Sequence, residues 1–234
     1  MQDNANNNLS NNSLLNMASL NEVIQRTRTC LHNRQKKDGH WAFPLEADVT
    51  ISAEYILLNH YLGEINDVIE QKVANYIRRI QKSDGGWPLY NGGKANVSAS
   101  VKAYFALKLA GDNPELPHMV KARDKILANG GAKESNVFTR ITLALFGMVP
   151  WRATPVTRIE ILFAPKWLPL NINKVSYWTR TVTVPLLILT AMRPKAKNPR
   201  KIDIDELFTK SRFKENYRID NPTRHWIGTL MIAL

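Results

Sequence analysis

The sequence predicts an all-α protein, and three observations carry that prediction. Apolar residues recur at helical spacing in one segment after another, most of them closed by a glycine. Hairpin chemistry is missing: the β-prone string "TVTV" at 181–184 sits inside a longer apolar run with no turn pair beside it. Finally, a polar loop with Gln, Gly and Trp at fixed spacing occurs twice, each copy flanked by helical patterns.

In chain order, residues 1–19 are Asn-rich and are expected to be a disordered leader. The stretch lacks a basic n-region and an apolar h-region, so it does not read as a secretory signal. Ile51, Tyr55, Leu58 and Leu62 then recur on one helical face, with Gly63 as a stop. Asp67 and Glu70 form a capping box ahead of Val73, Tyr76, Ile77 and Ile80. "SASVKAYFALKLAG" makes a helix ending at Gly111, and "SNVFTRITLALFG" one that starts at a Ser135 cap and stops at Gly147. Residues 150–169 mix proline with aromatics and aliphatics and read as an irregular packed connection. "SYWTRTVTVPLLILTAM" is helical with a bend at Pro185, whose ring clashes with the preceding turn. "MRPKAKNPRK" is a basic, proline-broken exposed loop. The closing run "HWIGTLMIAL" is apolar with no polar tail, and is expected to be a truncated element.

Charge and cysteine usage narrow the partners. With 32 Lys and Arg against 20 Asp and Glu, the formal charge is +12. Such an excess calls for an acidic partner, and anionic lipid stands ahead of nucleic acid because no helix-turn-helix, zinc-finger or RNP signature is present. Cys30 is the single cysteine, so no disulfide framework or CxxC site exists and a reducing compartment fits. His32, His40, His60, His118 and His225 show no ligand spacing, which argues against a metal. No P-loop or dinucleotide fingerprint occurs. No apolar run is long enough to cross a bilayer.

The repeated loop stands as Leu31…Gln35…Gly39…Trp41 and again as Ile77…Gln81…Gly85…Trp87, with the two tryptophans 46 positions apart. A period of that size indicates stacked helix pairs, each too small to bury its own apolar face. A degenerate third copy, "ILANGGAKE", follows. Spacing alone leaves an open α/α array and a closed α/α barrel equally allowed. The expected role is structural. The Gln amide occupies backbone groups that helix ends leave unpaired, the glycine allows positive φ, and the indole buries a large apolar area.

This pattern resembles the QW repeat of triterpene cyclases. "ADVTISAEYILLNHYLG", "GGAKESNVFTRITLALFG" and "PWRATPVTRIEILFAPKWLPLNINKVSYWTRTVTVPLLIL" resemble the N-terminal part of squalene–hopene cyclases, from about Leu20 to Phe208. The resemblance implies an incomplete α/α barrel toroid, with 20–45 a piece of the catalytic barrel and 46–234 an accessory barrel. It also implies cyclisation of squalene to hopene without a cofactor, by alkene protonation and cationic ring closure. A peripheral, monotopic position on the cytoplasmic face of the membrane follows in the same way, with a homodimer of the full-length protein. The proton-donating Asp-x-Asp-Asp of that family does not occur in this chain, which leaves the catalytic acid unknown and implies that the fragment is inactive alone. The nearest string, Asp203-Ile204-Asp205-Glu206, reads as helix N-terminal charge.

By the same resemblance, Trp178 faces the substrate cavity, where its π face would stabilise cations. Glu54 matches a glutamate tied to activity, although a buried structural hydrogen bond explains it equally well. Val175 and Thr183 fall near the channel through which substrate enters. Lys102 stands where many relatives carry glutamate, and Asn136 and Thr142 stand where some carry arginine and tryptophan. Three rivals are kept. A different class II terpene cyclase would share all of these features, and a prenyltransferase β-like subunit would need zinc partners for Cys30. A non-catalytic helical module at a membrane surface needs neither.

Overall fold

The computed structural model describes residues 3–43, 48–155, 159–167 and 171–217. The described residues are helical and contain no strand; a lone antiparallel bridge joins Pro88 and Ala95. The chain divides into two units, Met1–Glu46 and Ala47–Leu234. The expected apolar run at 225–234 lies outside the described residues.

The first unit is built on α1, Asp3–Arg34. This helix takes in most of the segment expected as a disordered leader; no glycine or proline occurs before Gly39 to interrupt it. It ends in the first Gln/Trp loop.

The second unit alternates helices in pairs: α2 (Val49–Leu62), α3 (Asp67–Arg79), α4 (Val97–Leu109), α5 (Pro117–Ala128), α6 (Val137–Leu145) and α7 (Tyr177–Met192). Short polar side chains start most of them. Asp48 accepts from Thr50 N, Asn96 from Ala99 N and Ser176 from Thr179 N, each relieving a first-turn donor. Two caps differ from expectation. Asn66, one residue before Asp67, caps α3 through Ile69 N, and Asn136 rather than Ser135 caps α6 through Thr139 N. Glu70 is thereby freed from capping, and it is buried. Pro117 opens α5, where a missing N–H costs nothing.

Helix α4 is the axis of the core. Nearly every residue from Ser98 to Leu109 is buried, because α2, α3, α5, α6 and the 3-10 turn Ala132–Glu134 all pack on it. Phe105 meets Phe146 edge to face, with centroids 5.0 Å apart at 78°. α2 turns Val49, Ala53, Ile56, Leu57 and His60 inward. The Ile51/Tyr55/Leu58/Leu62 stripe that marked this helix in the sequence lies on its exposed side, so α2 is apolar on both faces.

One loop gathers the ends of three helices. Within 193–201, Ala196 N donates to Leu145 O at the end of α6 (2.8 Å), Lys197 N to Tyr61 O (3.1 Å) and Asn198 N to His60 O (3.2 Å) at the end of α2. Arg200 Nη1 donates to Leu109 O at the end of α4. These are carbonyls that a helix C-terminus leaves unpaired. Since α2, α4 and α6 all finish at this loop, they run in one direction, and α3 and α5 return between them. The segment 150–169 holds 3-10 turns at Trp151–Ala153 and Ile159–Phe163; α7 packs on the latter and carries Pro185 inside it.

Candidate functional site

The two Gln/Trp loops are the same object down to the individual hydrogen bond. In the first, Gln35 Nε2 donates to Gly39 O (2.7 Å) and Trp41 Nε1 to Leu31 O (2.8 Å). In the second, Gln81 Nε2 donates to Gly85 O (2.8 Å) and Trp87 Nε1 to Ile77 O (2.9 Å). Leu31 and Ile77 lie in the last turns of α1 and α3, so each indole satisfies a carbonyl the helix end leaves open. Gly39 (φ 91°) and Gly85 (φ 87°) occupy the left-handed region that the turn requires.

The copies differ in what surrounds them. Gln81 Nε2 also donates to His118 O in the first turn of α5 (2.9 Å), and Trp87 N donates to Ser100 Oγ on α4 (3.1 Å). Trp87 is fully buried, whereas Trp41 is 46% exposed within its own unit. A Cβ on Gly85 would lie 2.4 Å from Lys121 O; one on Gly39 would meet only Gln35 Nε2 at 4.0 Å. The second loop therefore ties α3, α4 and α5 together.

The remaining expected site residues stand on α2 and on or just before α7. Glu54, half exposed on α2, accepts from Lys102 Nζ on α4, whose side chain is only 7% exposed. Trp178, in the first turn of α7, is 77% exposed, and Tyr177 beside it is equally open. Val175 precedes that helix and Thr183 lies within it, both half-buried. Among the described residues no hydrogen bond or ion pair links Glu54 to α7. No group of three or more His, Cys, Asp or Glu that could hold a metal occurs among them either.

The acidic string 203–206 is occupied by cations. Glu206 accepts from Lys108 Nζ (2.6 Å) and Tyr104 Oη (2.8 Å), Asp205 pairs with Arg212 (2.9 Å), and Asp203 lies 3.8 Å from Lys108. Burial, with Glu206 alongside, pushes the Tyr104 hydroxyl well above its ordinary pKa, so it serves as a donor to the carboxylate. A carboxyl held by a lysine and a tyrosine is a clasp between the 205–207 turn and α4.

Two buried polar networks had no signal in the sequence, because their members are far apart in it. His60 Nε2 meets Glu70 Oε2 (2.7 Å), and Arg200 Nη1 meets Glu70 Oε1 (2.6 Å) while its Nη2 reaches Asp67 (2.8 Å). Burial lowers the His60 pKa despite the adjacent carboxylate, so the ring stays neutral and donates from Nε2. In the second network, Arg78 and His118 both bind Asp112. Burial pushes Asp112 up, yet the two donors outweigh it and hold its carboxyl below the usual range.

Helices paired in sequence, with the second Gln/Trp loop tying α3, α4 and α5 together, define a protein of the α/α class. Comparison with known proteins narrows that class. The family model for the squalene-hopene cyclase N-terminal domain matches residues 24–234. A squalene–hopene cyclase of Zymomonas mobilis is 56% identical over 187 residues, covering 80% of this chain and 28% of the relative. One from Bradyrhizobium diazoefficiens is 59% identical over 175 residues, 74% of this chain and 26% of its own. A squalene-hopene cyclase of the yeast Schizosaccharomyces japonicus is 48% identical over 211 residues, 90% of this chain and 32% of its own. The chain belongs to the squalene–hopene cyclase N-terminal domain family, and it spans about a third or less of the length of these relatives.

Proposed function

We propose that the chain is the N-terminal part of a squalene–hopene cyclase, an intramolecular transferase of the isomerase class in triterpenoid and hopanoid biosynthesis. Residues 20–45 would belong to the catalytic barrel and 46–234 to an accessory α/α barrel. The observation that carries this reading is the family match over 24–234, joined to the two identical clasps. The common direction of α2, α4 and α6, with α3 and α5 returning between them, is the alternation that a closed ring of helix pairs repeats.

In this reading squalene is the substrate, and these 234 residues supply cavity wall and support rather than the acid. The Asp-x-Asp-Asp donor does not occur in them, and the one similar string is held by Lys108, Arg212 and Tyr104. Trp178 would offer its open indole face to developing cations, which an apolar wall protects from quenching by water. Val175 and Thr183 would line the way in. Glu54 would act through its pairing with Lys102 and not as a proton donor. No helix among the described residues is long and apolar enough to cross a membrane. With a charge of +12, a peripheral position on the anionic cytoplasmic face is the reading we favour, with a homodimer in the full-length protein.

Two experiments test this. Purified chain incubated with squalene should give no hopene by gas chromatography; a clear hopene peak would refute the division of labour. Replacing the matched segment of the Zymomonas mobilis enzyme with this chain should retain hopene formation. A soluble, folded chimera that binds squalene yet makes no product would count against the reading. A different polycyclic product from the chimera would favour another class II terpene cyclase.

A further inference from the structure

Arg180 on α7 carries a charge that no described residue balances. It ends the first turn of the helix and shares one side of it with Val184 and Leu187, at i+4 and i+7. Leu187 is fully buried and Val184 half-buried, so Arg180 is drawn against the packed side of α7. Its Nε is buried with no acceptor, and its guanidinium has no hydrogen-bond or ion-pair partner among the described residues. A lysine in that position could shed its proton, but a guanidinium stays charged. A cation near a helix start also opposes the helix dipole, so α7 gains nothing from it locally.

The neighbouring sequence offers it no anion. From 161 to 202 the chain contains no Asp or Glu, while eight Lys and Arg residues, Arg180 included, fall in the same stretch. Large apolar side chains protrude there as well. Tyr177, at the start of α7, is 76% exposed; Phe163, in the 3-10 turn that packs on α7, is 83% exposed, and Trp167 just beyond it 76%. Protruding aromatics around a half-buried arginine have the composition of an interface centre, where Arg and aromatic residues are enriched. The basic surroundings call for an acidic partner. The relatives supply one of stated origin: the chain spans 28% of the Zymomonas mobilis enzyme and 32% of the yeast one, so most of such a protein lies outside the matched segment.

We infer that Arg180 is the anchor for a carboxylate carried by the remaining part of a squalene–hopene cyclase chain, with Phe163 and Trp167 as the apolar part of the same contact. The inference rests on the cyclase reading and deepens it by naming one contact and the chemistry of its partner. An arginine fork suits that task because it holds a carboxylate through two parallel hydrogen bonds.

The test compares two contexts, the 234-residue chain and the chimera in which it replaces the matched segment of the Zymomonas mobilis enzyme. Thermal midpoints are followed by circular dichroism for wild type, Arg180→Met and Arg180→Lys. In the 234-residue chain Arg180→Met should leave the midpoint unchanged or raise it, because it removes a charge that has no counter-ion. In the chimera the same change should lower it by at least about 5 °C, because it strands a buried carboxylate. Arg180→Lys should restore only part of that loss, since an ammonium cannot make the two-pronged contact. Phe163→Ser/Trp167→Ser should likewise lower the midpoint of the chimera and spare that of the shorter chain. A loss from Arg180→Met in the 234-residue chain, or a chimera indifferent to either variant, would overturn the inference and leave the cyclase reading standing. A chimera that does not fold would overturn both.

Discussion

Lys102 and Glu54 make a pair whose two halves are unequally buried, and that inequality predicts unequal costs. The Lys102 side chain is 7% exposed and its ammonium has Glu54 as its carboxylate, while the Glu54 side chain is 51% exposed. Glu54→Gln removes the negative charge and leaves a cation inside the fold. A fully buried pair broken in this way loses about 3–5 kcal/mol, and the water at Glu54 reduces that to about 1–3 kcal/mol. Lys102→Met removes the buried charge, keeps the unbranched stem in its packing, and returns Glu54 to solvent. It should fall within about 1 kcal/mol of wild type, in either direction. The assay is urea denaturation of both single variants and the double variant, followed by circular dichroism. In the Lys102→Met background the cost of Glu54→Gln should vanish, giving a coupling of about 1–3 kcal/mol. If Lys102→Met proves the costlier change, or the two costs simply add, Glu54 is not the counterion of Lys102 and its role lies elsewhere.

The paired loops give a second contrast. Gly39→Ala should cost about 1–2 kcal/mol for left-handed backbone alone, whereas Gly85→Ala adds about 1–3 kcal/mol because its Cβ would strike the Lys121 carbonyl; equal shifts in denaturation midpoint would contradict this. Arg200→Met strips one partner from buried Glu70 and one tie from the loop, so it should destabilise by about 2–3 kcal/mol and speed tryptic cleavage at Lys195–Lys201; unchanged cleavage would show that the other ties suffice. His60 has its pKa lowered by burial, so below about pH 6.5 the unfolded chain takes up a proton that the folded one refuses. Stability should therefore fall as pH drops from 7.5 to 5.5, by at most about 1.4 kcal/mol per unit from this group. His60→Gln should flatten that slope, and denaturation curves at the two pH values decide it.

The sequence by itself determined the helical class, most helix spans and the repeated clasp. Each of these is written locally: a glycine at a stop, a Gln four residues after an aliphatic, a Trp six after the Gln. It misjudged caps by a residue at Asn66 and Asn136, since neighbouring polar residues compete for one helix start and only backbone geometry chooses among them. It also marked α2 by the stripe that turned out to be exposed, because a helix apolar on both faces gives periodicity no way to say which face meets α4. Only the tertiary structure decided that Glu70 is buried with His60 and Arg200, that Lys102 leans on Glu54, and that one basic loop closes α2, α4 and α6. Those contacts join residues up to 138 positions apart, from Asn198 to His60, and a pairing at that range depends on how helices stack, which no local pattern records.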